Sequence, residues 1–101
     1  MTRRVVFRPS AEADLTALYR YIAQASGSGR ALGYLSRIET ACMDLAQLPE
    51  RGARRDDILP GLRTIGFERR VTIAFRVLDK TVEIVAIAYA GREFESGLGE
   101  D

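Results

Sequence analysis

The chain has 101 residues, of which 47% are hydrophobic and 29% charged, and its formal charge is +1. That length holds one domain with a modest core and little room for an enclosed cavity, which puts function on a face or in a shallow groove. The near-zero charge argues against a general nucleic-acid coat or a polybasic membrane patch, although acids and bases on separate faces still allow a local one.

The charge is unevenly built. Of 15 basic residues, 14 are arginine and one is Lys80. Six of the arginines fall in the stretch ERGARRDDILPGLRTIGFERR, Glu50 to Arg70. They can grip phosphate, pair with a partner's carboxylates, or keep a loop soluble. A GC-rich coding sequence gives the same arginine bias with no function attached.

In chain order, Arg3 to Arg8 reads as a short strand, with Val5 and Phe7 on one face and Arg4, Val6 and Arg8 on the other. Pro9 stops it and Ser10 is the expected helix N-cap, with Glu12 and Asp14 at the positive end of the helix dipole. Leu15, Leu18, Tyr19 and Ile22 then form one apolar stripe of a helix reaching about Ala25. Ser26 to Gly29 reads as a turn. A second helix is expected from about Arg30 to Leu48, with Leu35, Ile38, Cys42 and Leu45 as its stripe, supported by Ala31, Ala41 and Leu48, and Pro49 as its stop.

Three strands follow. Gly61 to Phe67 is a short one. In Arg70 to Leu78, Val71, Ile73, Phe75 and Val77 alternate with Arg70, Thr72, Ala74 and Arg76. Asp79 and Lys80 make a tight turn into Thr81 to Tyr89, which is apolar on both faces and therefore central in its sheet. The expected architecture is α+β, β-α-α-β-β-β, with a helical hairpin on one face of a small, mainly antiparallel sheet. The other face is then expected to show an uncovered strip of Val85, Ile87 and Tyr89 rimmed by arginines, a binding surface by default. Residues 1–101 read as one domain, with about 93–101 as a fraying, glycine-rich tail.

Much chemistry is absent. There is no histidine, so the usual near-neutral acid/base and the serine and cysteine triads are missing. Cys42 is the one cysteine: no disulfide can form within the chain, no Cys/His metal site is possible, and its place on a helical apolar stripe makes it a small core residue. No phosphate-binding glycine motif occurs. Asp56 and Asp57, adjacent in a loop, are expected to serve solubility or to pair with Arg54 and Arg55. The start MTRRVVFRPS lacks the apolar run of a signal peptide, and no stretch is long enough to span a membrane, so the expected location is the cytoplasm. No metal or small-molecule cofactor is expected. If the chain were a nuclease, Arg63, Arg70, Arg76 and Arg92 would be its candidate catalytic residues, neutralising a scissile phosphate.

The segments FRPSAEADL, LYRYIA, ALGYLSRIETACMDLAQLPERGA and GLRTIGFERRVTIAFRVLDKTVEIVAIAYAGRE stand in an order that resembles the RelE/ParE superfamily of small bacterial toxins, and more the ParE branch. The resemblance implies the toxin of a type II toxin–antitoxin module, inhibiting DNA gyrase by protein binding and neutralised by a ParD-like antitoxin. The rivals it brings are a RelE-type ribosome-dependent mRNA endonuclease and a non-toxic member that only binds antitoxin. RelE-like nucleases often carry a tyrosine or histidine just past the equivalent of Gly91 and Arg92, whereas this tail reads REFESGLGED. That departure favours the gyrase reading, with no catalysis by this chain and no direct sequence-specific DNA binding. The residues expected to meet the antitoxin are Arg63, Phe67, Arg70, Arg76, Val85, Ile87 and Tyr89; the candidates for the target are Arg51, Arg54, Arg55, Arg92 and Phe94.

Overall fold

The computed structural model describes residues 3–89. In chain order the elements are β1 (Arg4–Phe7), α1 (Pro9–Ser26), α2 (Ser28–Asp44), β2 (Ala53–Arg54), β3 (Leu62–Phe67), β4 (Val71–Val77) and β5 (Thr81–Tyr89). The strands form one five-stranded sheet in the order β1-β5-β4-β3-β2. β1 lies parallel to β5 and the other pairings are antiparallel. The helices pack on one face, so the expected α+β architecture holds, with β2 as a strand that the sequence pattern did not announce.

Local chemistry sets the boundaries. Pro9 opens α1 rather than merely closing β1, because the first helical position has no use for the N–H that proline lacks. Ser10 is therefore inside the first turn and is not the N-cap; Arg8 holds that position without a side-chain cap. The Ser10 hydroxyl instead donates to the Val85 carbonyl at 2.6 Å, tying α1 to β5. Gly27 alone separates the helices, at φ 95°, a conformation that favours glycine. α2 ends at Asp44, short of the expected Leu48, because the chain tightens into a turn at 45–47. Leu45 is still buried there, which kept the apolar spacing going past the helix end, while Leu48 is 61% exposed. None of the described helices is long and apolar enough to cross a membrane.

The main core lies between helices and sheet. Leu18, Ile38, Cys42 and Leu45 pack against Val71, Ile73, Phe75, Val82, Ile84 and Ile87, with Val5, Phe7, Ile65, Phe67 and Tyr89 at its margins. Burial pushes the Cys42 thiol up to about 12, so it is an inert packing group.

A β-bulge corrects the sequence reading of β5. Phe75 faces Ile84 but Ala74 faces Ala86, so Val85 is an extra residue in β5. The alternation changes phase across it: Val82, Ile84, Ile87 and Tyr89 all join the helix-side core, while Val85 and Ala86 join Leu62 and Ala74 in a second cluster. The expected uncovered strip of Val85, Ile87 and Tyr89 does not exist. Val85 is 0% and Ile87 3% exposed, and they belong to different clusters.

Ile58 and Leu59 pack against the second cluster, bringing loop 55–61 over that part of the sheet. The loop is cinched by its own ions. Arg54 pairs with Asp56 at 3.0 Å and Arg55 with Asp57 at 3.1 Å, and the Gly61 N–H donates to Asp56 at 2.8 Å. Beyond Phe7, where β1 ends, side chains of α1 finish the edge of β5: besides Ser10, the Asp14 carboxylate accepts the Ile87 N–H at 2.8 Å.

Candidate functional site

The candidate arginines Arg63, Arg70 and Arg76 go to three separate places. Arg76 pairs across the strands with Glu83, donating from Nε and Nη2 to one carboxylate oxygen at 2.9 and 2.7 Å, and Arg8 approaches the same carboxylate at 4.0 Å. Arg63 lies opposite Phe75 on β4 and opposite Arg54 on β2, and with Arg54, Glu50 and Val77 it lines a notch of about 330 Å³. Arg70 lies outside β4, in the turn at 68–70, so it does not share one strand face with Arg76. Arg63, Arg70 and Arg76 thus form no common surface. Arg92 and Phe94 lie outside the described residues.

Arg70 lines the larger opening, a groove of about 860 Å³ between the helical hairpin and the β3–β4 turn. Tyr21 comes from α1, Arg30, Tyr34 and Arg37 from α2, Glu68 and Arg70 from the turn, and Tyr89 from β5. Its base is aromatic. Tyr34 lies 6.1 Å from Phe67 and 6.3 Å from Tyr89, and Tyr89 lies 5.6 Å from Tyr21, in tilted or edge-on pairs of the kind aromatic rings prefer. The spacing of Tyr21 and Ile22 on α1, and of Gly33, Tyr34 and Arg37 on α2, follows the helical period and puts them on the groove side. Of the residues expected to meet the antitoxin, Arg70 and Tyr89 line the groove and Phe67 packs against its Tyr34; Arg63, Arg76, Val85 and Ile87 do not line it.

The groove is positively biased, with three arginines against one carboxylate. The Arg37 guanidinium sits 5.2 Å from the centre of the Tyr34 ring and grips Glu68 through two bonds of 2.9 and 3.2 Å. That pairing holds the Glu68 carboxyl below its ordinary range and the Arg37 guanidinium above its own. Burial, helped by the nearby Glu68 and Tyr89, raises the Tyr34 phenol against the opposing pull of Arg37 and Arg70. Tyr34 therefore stays protonated at neutral pH, a donor and a packing surface and a poor general base. Sequence reasoning missed Tyr21, Tyr34, Arg37 and Glu68. The signal was present as tyrosines and arginines at helical spacing, to which no role was assigned.

A two-helix hairpin on a five-stranded sheet of this order is the fold of the RelE/ParE superfamily. The chain covers 96% of its length in a match to a free mutant of E. coli toxin RelE, which it covers to 93%, at 13% identity and TM-score 0.66. It matches the toxin–antitoxin complex RelBE2 from Mycobacterium tuberculosis at 21% identity and TM-score 0.62, with 88% of this chain and 99% of that one covered. The family model for the ParE toxin of type II toxin–antitoxin system parDE matches residues 5–94. A chain of the chromosomal ParDE system from P. aeruginosa is 30% identical at TM-score 0.77, with 88% of this chain and 97% of that one covered. No curated protein sequence matches. The chain belongs to the ParE toxin family, whose members are the toxins of type II toxin–antitoxin systems.

Proposed function

We propose that this toxin inhibits DNA gyrase by binding it, performs no chemistry of its own, and is neutralised in the cytoplasm by a ParD-like antitoxin that occupies the groove between the helical hairpin and the β3–β4 turn. The observation that carries the reading is the groove itself: an aromatic floor under a positive rim, drawing in Phe67, Arg70 and Tyr89. An acidic, partly apolar segment complements such a surface, and arginine forks pair with its carboxylates better than lysine would. The binding reading is further supported by the chemistry on hand. Arg63, Arg70 and Arg76, offered as nuclease residues, are dispersed, and Arg76 is spoken for by Glu83. Tyr34, the tyrosine at the centre of the groove, is raised rather than lowered.

Arg51 is an exposed candidate for the gyrase contact, whereas Arg54 and Arg55 are engaged by the carboxylates of their own loop. The test is a plasmid supercoiling assay with purified gyrase and antitoxin-free protein. Loss of supercoiling, or cleaved DNA trapped on gyrase, supports the proposal. Untouched gyrase with specific mRNA cuts on ribosomes assigns the protein to the endonuclease class. A protein harmless in cells without its antitoxin would be a binding member that has lost toxicity. Within the proposal, substituting Arg70 by glutamine weakens antitoxin binding, and the same change at Arg76 leaves it intact.

A further inference from the structure

We infer that Glu68 is an internal stand-in for an acidic side chain of the antitoxin, which takes the Arg37 guanidinium by displacing Glu68 from it. This rests on the proposal that the antitoxin lies in the groove. Arg37 and Glu68 come from opposite walls, one from α2 and the other from the β3–β4 turn, so their two-point bond joins the walls. As a stabilising device the bond is poor. Its side chains are 55% and 43% exposed, and ion pairs so open to water return little.

The turn also works against stability. Glu68 and Arg69 sit at φ 48° and 67°, left-handed backbone that favours glycine or asparagine. A carboxylate is thus delivered to Arg37 on a strained turn, for an ion pair of small worth. That combination suits a contact meant to be exchanged.

The surroundings define what takes its place. Arg37 lies over the Tyr34 ring, so its fork keeps its place when Glu68 leaves. The fork is already arranged for an anion held at two points, and a carboxylate that replaces that of Glu68 reproduces the geometry without rearrangement. With Glu68 withdrawn, Arg30, Arg37 and Arg70 face the groove together over Tyr21 and Tyr89. The occupant is therefore an acidic peptide segment with an apolar side chain next to its carboxylate.

The experiment is a double-mutant cycle on affinity. The probe is the ParD-type antitoxin that co-purifies with the toxin, separated in guanidinium and refolded, and titrated at about 0.15 M salt. Glu68→Gln tightens binding about two- to five-fold, Arg37→Gln weakens it, and Glu68→Gln has no effect in the Arg37→Gln background. No gain from Glu68→Gln overturns the inference. So does an equal gain in both backgrounds, which is long-range charge rather than exchange at Arg37. Two further variants, Arg70→Gln and Tyr21→Ala, separate the layers. If neither weakens binding, the antitoxin lies elsewhere and the inference falls with the groove. If both weaken it while Glu68→Gln does nothing, the groove stands and the exchange alone is wrong. A short DNA duplex that competes for Arg37 better than the antitoxin makes the occupant a phosphate and likewise overturns the inference.

Discussion

The two faces of the sheet both carry arginine, yet they are finished in opposite ways. On the second face, Arg76 has Glu83, and loop 55–61, cinched by the Arg54–Asp56 and Arg55–Asp57 pairs, lays Ile58 and Leu59 against Val85 and Ala86. On the helix side, the open end of the sheet leaves tyrosine rings and three arginines around one carboxylate. The difference teaches that the density of guanidinium groups along the sequence does not mark a docking surface. The supply of matching acids does, and acids two residues away in the same loop neutralise a cluster that looks open when read as a string.

The largest effect should come from cutting into the sealed face. Leu62→Ala should lower stability by about 3 kcal/mol in urea unfolding, because a buried leucine is lost under the loop. Tyr21→Ala in the groove, 59% exposed, should lower it by less than about 1 kcal/mol. Equal losses would mean that the groove is as much core as the sealed face. Asp14→Ala should cost about 2 kcal/mol, since it leaves the Ile87 N–H without its acceptor between α1 and β5.

The loop ions give a pH test of the sealed face. Asp56 is lowered chiefly by its bond to Arg54 and then by the Gly61 N–H, and Asp57 by its bond to Arg55. A depressed folded pKa means their contribution is complete above the ordinary aspartate value and is lost as pH falls through the lower folded one. Gly61 amide exchange, corrected for the intrinsic rate, should thus be unchanged above about pH 5 and speed up below it. No acid-induced change at Gly61 would show that the ions do not hold the loop. The smallest effect belongs to the groove turn: Arg69→Gly should raise stability by about 0.5 kcal/mol by relieving the left-handed backbone at φ 67°. A loss would mean that the Arg69 side chain supports the turn.

Most of the fold was legible in the sequence because alternation and helical spacing are strong over Leu15 to Ile22, Leu35 to Leu45 and Val71 to Val77. Two features were not. β2 is two residues long, too short to carry a period, and it is set by Gly52, where a Cβ would collide with the Thr64 carbonyl and the Ile65 side chain. The bulge at Val85 adds one residue and so reverses which face each later side chain takes, which turned two core residues into an apparent binding strip. The groove was half legible. Phe67, Arg70 and Tyr89 were named for their place in the strands, whereas Tyr34, Arg37 and Glu68 meet only through tertiary packing, thirty-one positions apart for the ion pair.

The parallel pairing of β1 with β5 has a consequence in time. Arg4–Phe7 is made early and finds its place only against Thr81–Ile84, on the strand that is translated last among those described. Until β5 emerges, β1 has no neighbour, α1 has no Val85 carbonyl or Ile87 N–H to hold, and β4 lacks one of its two flanking strands. A chain stalled before that point holds β2, β3 and β4 but lacks the strand that joins them to β1 and to α1. Synthesis of this toxin therefore has a threshold: the sheet is completed only when β5 becomes available, after every other described strand has been made.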